Sequence, residues 1–179
     1  MTYYKILHEN GQSHIGSGEW SLPKDDKPGA WRKVTGRLVM CQNGLHACTA
    51  EQLIDFLDYG PECYEIEYRR EPKNDGSKVV GREARLVRGI EGYNEKNLRL
   101  FACDCAERAL KREREAGREP DKRSWNAIKV ARSFERGKAT SEARDAAARD
   151  AAAAVGDAAA RDAEKSWQTE ALLKRIGLA

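Results

Sequence analysis

Two hydrophobic rhythms divide the chain. Toward its start, apolar and polar side chains alternate in Cys63-Tyr64-Glu65-Ile66-Glu67-Tyr68, the period of a half-buried strand. Tyr3 to His8, Arg37-Leu38-Val39-Met40-Cys41 and Val79 to Val87 read as further strands, and Leu45-His46-Ala47-Cys48 as a short extended segment. Turn formers separate them, at Asn10-Gly11, Asn43-Gly44 and Asn74-Asp75-Gly76. Thr49 suits the cap of a short helix from Ala50 to Leu57, with Leu53, Ile54 and Leu57 on one face. The stretch from Gly16 to Gly29 reads as loop.

From Asn94 the rhythm becomes helical. Leu98, Phe101, Ala102, Cys105 and Ala109 recur at three- and four-residue steps. That helix stops near Gly117, Pro120 opens the next, and Gly137 ends it after Trp125, Ile128 and Phe134. Thr140 or Ser141 caps a third helix, which carries a repeat. Arg144-Asp145-Ala146-Ala147-Ala148 is followed by Arg149-Asp150-Ala151-Ala152-Ala153, with echoes at Asp157 and Asp162. The spacing is too irregular for a heptad coiled coil. Small residues such as Ala147 and Ala152 would let another backbone approach, within the chain or in a second copy. Trp167, Leu172, Leu173 and Ile176 are expected to fold back onto the helical core. The pattern predicts an α+β head over residues 1–92, with five or six short strands and one helix. A helical domain over residues 93–179 follows it.

Composition narrows the function classes. Charge is abundant but nearly balanced, with 32 Lys and Arg against 29 Asp and Glu. This is not the single-sign excess of a dedicated nucleic-acid binder. The interleaved Lys111-Arg112-Glu113-Arg114-Glu115 reads as ion pairs on a solvated helix. No apolar run approaches the ~20 residues of a membrane span, and no leader-like segment opens the sequence. The five cysteines, an odd count, are then expected as free thiols, and the protein as cytoplasmic with no membrane partner.

Three constellations could carry chemistry. Cys41, His46, Cys48 and Cys63 offer thiolate and imidazole ligands for zinc, but their C-x4-H-x-C spacing lacks a paired C-x2-C, and packing explains buried cysteines more simply. Cys103 and Cys105, two apart on a helix, point away from each other. Trp20 and Trp31 sit in loop-like segments, where they would line a binding surface or cover the core of the head. No cofactor is called for.

Two resemblances add to this reading. Leu7-His8-Glu9-Asn10-Gly11-Gln12-Ser13, Trp20-Ser21-Leu22-Pro23 and Cys41-Gln42-Asn43-Gly44-Leu45-His46-Ala47-Cys48 resemble a family of uncharacterised small proteins of bacteriophages and actinomycetes, marked by a Gly-(Leu/Phe)-His-x-Cys turn. The segments Arg99 to Arg108 and Ala127 to Arg132 resemble helical immunity proteins of bacterial toxin systems. Together they imply a phage-borne binding protein that neutralises a host defence protein or its nucleotide signal. Contacts are expected through Trp20, Trp31, Ala147, Ala152, Arg144 and Arg149. Toxin neutralisation, as an immunity protein, is an alternative. The order of turn, Gly44-Leu45-His46, short helix and Tyr64-Glu65-Ile66-Glu67 also resembles the core of ADP-ribosyltransferase-like folds. That resemblance implies an NAD-binding enzyme, with His8 or His46 against the nicotinamide ribose and Glu65 or Glu67 polarising its hydroxyl.

Overall fold

Tyr3–Leu7 forms strand β1, in the middle of an antiparallel sheet. The other strands are β2 (Arg32–Lys33), β3 (Leu45–Thr49), β4 (Glu62–Tyr68), β5 (Lys73–Asn74), β6 (Val79–Gly81) and β7 (Glu83–Gly89). The computed structural model describes residues 1–16, 18–152 and 162–179. Among the described residues the sheet has seven strands in the order β2-β7-β4-β1-β3-β6-β5. Both edge strands are two residues long.

Register explains burial. Tyr4 lies opposite Cys48 on β3 and Glu65 on β4, and Ile6 lies opposite Cys63. Side chains alternate along a strand, so Tyr4, Ile6, Cys48 and Cys63 share one face, and all four are buried. Tyr93 closes that side of the chain by donating its hydroxyl to the carbonyls of Leu57 and Gly60. On the opposite face Tyr3, Leu7, Leu45, Ala47, Ile66, Ala84 and Leu86 form the core with Val79 and Trp20. Tyr3 and Tyr68 meet edge to face there, their centroids 5.5 Å apart.

Three segments depart from the sequence expectation. Arg37 to Cys41 is not a strand. Val39 and Asn43 bridge each other, Cys41 takes φ 63°, and the Asn43 side-chain amide donates to the carbonyls of Thr35 and Arg37. A turn with this many local bonds leaves the apolar Leu38-Val39-Met40 run only half-buried. The expected helix from Ala50 is instead a 3-10 helix at Leu53–Tyr59, entered through i to i+3 bonds from Gln52, Leu53 and Asp55. The expected strand Val79 to Val87 is two strands. A side chain at Gly81 would put its Cβ 2.2 Å from the Tyr68 ring, and the chain changes neighbours there, from β3 to β4 and β2.

The helices are α1 (Glu95–Glu115), α2 (Lys122–Glu135), α3 (Ser141–Ala152) and α4 (Asp162–Ile176). Gly117 and Gly137 follow α1 and α2 with φ of 80° and 67°, as expected of C-terminal stops. The Asp121 carboxylate accepts the Arg123 amide at 2.7 Å to cap α2, and the Thr140 hydroxyl accepts the Ala143 amide at 3.3 Å to cap α3. None of the described helices is long and apolar enough to cross a membrane.

Sheet and helices together make a mixed α+β chain of two compact units. The first is Met1–Asn94 with Leu172–Ala179, and the second is Glu95–Ala171. The end of α4 therefore belongs with the sheet. A Cβ on Gly92 would lie 2.1 Å from the Ile176 carbonyl oxygen, and Leu172 and Ile176 are buried. The expectation that these two residues return to the helical core is corrected. They belong with the sheet unit, while Trp167 stays in the helical one.

Candidate functional site

The first candidate centres on the one charged side chain within β1. Lys5 shares the phase of Tyr3 and Leu7, so it points to the core face. Trp20 roofs that face. The indole donates to the Ser13 hydroxyl at 3.2 Å, and the Trp20 carbonyl leaves no room for a side chain at Gly11. The Lys5 ammonium lies 5.8 Å from the centroid of the Trp20 ring. The Arg32 guanidinium, on β2, lies 5.5 Å from the same centroid and donates to the Glu19 carbonyl. Two cations thus flank one buried indole. Among the described residues, neither pairs with a carboxylate. Burial pushes the Lys5 ammonium down to about 8, and repulsion from Arg32 adds to the effect.

Glu65 and Glu67, the candidate ADP-ribosylation carboxylates, lie elsewhere. They line a cleft of about 230 Å³ with Tyr3, Tyr68, Arg70 and Glu71. Each is held across the β4–β7 ladder, Glu65 by Arg88 and Glu67 by Arg85, both at 2.8 Å. Neither His8 nor His46 lines this cleft. His8 is exposed and its Nε2 sits 3.1 Å from Nδ1 of His14, which stacks on Tyr59. His46 is half-buried, and its Nε2 accepts the backbone amide of Cys41 at 3.0 Å. Burial is the first cause that lowers the His46 pKa, followed by Lys5 and Lys78. The Gly-Leu-His turn thus uses its imidazole as a neutral peg that holds residues 41–46 in place.

The four candidate zinc ligands are not gathered. Cys41 is exposed beside the Lys78 ammonium, and Cys48 and Cys63 are buried in the sheet. Burial pushes the Cys48 thiol up to about 12 and the Cys63 thiol higher, so both stay protonated. Among the described residues no three His, Cys, Asp or Glu side chains are placed to hold a metal.

The expected contact residues are scattered. Trp20 is a core residue, 5 % exposed. Trp31 is half-buried between the guanidinium groups of Arg69 and Arg85, at 4.5 and 4.7 Å from its ring. Ala147 is buried in the helical unit, so a charge there would disturb packing before it reached any partner. Arg144 covers the Phe134 ring and pairs with Asp145, and Arg149 is exposed. The Ala152 side chain and the repeat from Ala153 to Arg161 lie outside the described residues. A groove of 590 Å³ in the helical unit is lined by Arg108 and Arg112, which share Glu164, by Lys111 with Glu107, and by Trp167. Its cations are spent on neighbouring acids.

Sequence reasoning did not single out Lys5 or Arg32. The available signal was a lone lysine at the inward phase of an otherwise apolar and aromatic strand. Comparison with family models, curated proteins and solved structures finds no match.

Proposed function

We propose that the protein acts by binding rather than by catalysis, as a phage-borne counter-defence protein that sequesters or blocks a host defence component. The observation that supports this reading best is the state of Glu65 and Glu67. Both are held in place by arginines, in a cleft that contains neither His8 nor His46. A catalytic carboxylate needs a partner at the reacting centre and a ligand pose between them. Cross-strand ion pairs instead rigidify a sheet face. The runner-up, an NAD-linked enzyme, draws its support from the same cleft, because two carboxylates do line it. Neutralisation of a toxin, as an immunity protein would perform it, is the same kind of act with another target.

The test is a plating assay. The protein is expressed in cells that carry a panel of defence systems, beside its Glu65→Gln/Glu67→Gln double variant. Binding predicts that one system is neutralised equally by both. Loss of neutralisation in a double variant that still folds, together with NAD consumption by the parent protein, would replace this reading with the enzymatic one.

A further inference from the structure

We infer that His8 and His14 form a site for a late transition-metal ion, held at the end of β1 with coordination positions left open. The site goes beyond the binding reading and does not depend on it.

The chain brings the two imidazoles together and fixes each of them. β1 ends at Leu7, which is fully buried, so His8 leaves the sheet at a set point. The His8 amide donates to the Gln12 carbonyl at 2.9 Å, and Asn10 and Gly11 take φ of 61° and 79°. This tight turn reverses the chain, and His14 comes back beside His8. The end of the 3-10 helix supports both. A Cβ on Gly60 would lie 2.1 Å from the Leu7 carbonyl oxygen and 2.8 Å from the His8 nitrogen, so backbone packs on backbone there. The preceding residue, Tyr59, stacks on the His14 ring with centroids 4.3 Å apart. Phe56 meets Tyr59 edge to face at 5.0 Å. Two consecutive residues thus seat both histidines.

The separation of the two nitrogens suits an ion. His8 Nε2 and His14 Nδ1 are 3.1 Å apart. Two imidazole nitrogens on one ion, each at about 2.0–2.1 Å, stand about 2.9 Å apart at a right angle and about 3.3 Å apart at the tetrahedral angle. The observed distance falls between these. Without an ion the pair is a hydrogen bond, which needs a proton on one of the facing nitrogens. An ion takes the place of that proton, which moves to the outer nitrogen of the same ring, and both facing lone pairs become ligands. Both rings are exposed, so an ion reaches them directly from solvent. Imidazole favours copper, nickel and zinc over the hard ions magnesium and calcium. Among the described residues no third His, Cys, Asp or Glu side chain completes the set. The ion therefore keeps its remaining positions for water or for a donor from another molecule.

The experiment titrates nickel chloride into the untagged full chain by calorimetry, beside His8→Gln, His14→Gln and Cys41→Ser. The third variant removes the exposed thiol, the competing ligand. Both imidazoles are at the surface, so each glutamine variant should melt like the parent protein. The expected result is one equivalent of nickel, bound at least roughly tenfold more weakly by either glutamine variant and equally well by Cys41→Ser. Copper(II) bound to Cys41→Ser should show hyperfine splitting from two nitrogens in its electron paramagnetic resonance spectrum, and from one when His14→Gln is added. No binding up to about 1 mM nickel overturns the site. So does binding that survives both glutamine variants, or that is lost only with Cys41→Ser. If a glutamine variant does not fold, the copper spectrum of Cys41→Ser decides: two nitrogens keep the site, and one or none removes it.

Discussion

The two units are held together by different means. The sheet unit contains Leu7, Leu53, Leu86 and Val79 at 0 % exposure, together with Leu172 from the end of α4. Among the described residues of the helical unit the buried apolar ones are Phe101, Cys103, Ile128 and Ala147, at 5 to 8 %. What joins its helices is arginine. Arg99 pairs with Glu95 and Glu135, Arg132 with Asp104 and Glu107, and Arg108 and Arg112 with Glu164. Aliphatic arms cover apolar surface while their heads stay with carboxylates, as Arg108 does over Trp167 at 4.5 Å. Apolar burial is indifferent to salt, and half-exposed ion pairs are screened by it. One chain thus combines a unit fixed by volume with a unit fixed by charge.

The largest effect should come from the volume side. Leu86→Ala empties a fully buried site in β7 and should cost about 3 kcal/mol. The loss should appear in a denaturant melt followed at Trp20, with little response to added salt. The opposite sign is expected at Lys5. Lys5→Met removes a desolvated charge and should stabilise the sheet unit by about 2 kcal/mol. The pH dependence follows from the direction of the shift. Lys5 titrates near 8 when folded and near its ordinary 10.5 when unfolded, so the native state binds fewer protons between these values. Stability should therefore rise from pH 8 toward 10.5, and Lys5→Met should flatten that rise.

A smaller effect tests the charge side. Arg132→Leu removes the pairs to Asp104 and Glu107, leaving Arg99–Glu135 between α1 and α2, and should cost about 1 kcal/mol, because the pairs are partly solvated. Sodium chloride raised to about 1 M should lower the helical signal of the parent protein, and that of this variant by a smaller amount. The smallest effect concerns His46. Its folded pKa lies below the ordinary 6.5, so its contribution is complete above 6.5 and is lost as pH falls through the folded value. His46→Gln should remove this shallow acid slope in a pH series of melts.

These contrasts also show why parts of the molecule were legible in the sequence. Glu62 to Tyr68 announces itself by alternation at period two, and Tyr3 to Leu7, buried on both faces, by a short apolar and aromatic run. The caps at Asp121, Thr140, Gly117 and Gly137 are local chemistry, and the helix ends near them were readable. Residues 37–41 failed because a β-rich composition yielded to the Asn43 side chain, whose bonds no periodicity reveals. The α1 face failed in part because Cys103 is buried while Ala102 and Ala109 are exposed, arginine covering what aliphatic residues were expected to cover. Lys5 was hidden for a different reason. Its partner in space, Arg32, is 27 positions away in a segment without repeating pattern, so their approach to one indole is a property of the sheet alone.

The two-residue edges have a consequence for recognition. β2 and β5 each expose a stub that ends the ladder, one bearing Arg32-Lys33 and the other Lys73-Asn74. A strand from another protein would find too few free amides and carbonyls to pair with, and a positive charge beside them. Extension of the sheet by a guest chain is therefore closed off at both ends. A macromolecule that engaged the head would have to read its side chains and loops, and copies of the protein lack an edge on which to template strand addition to one another.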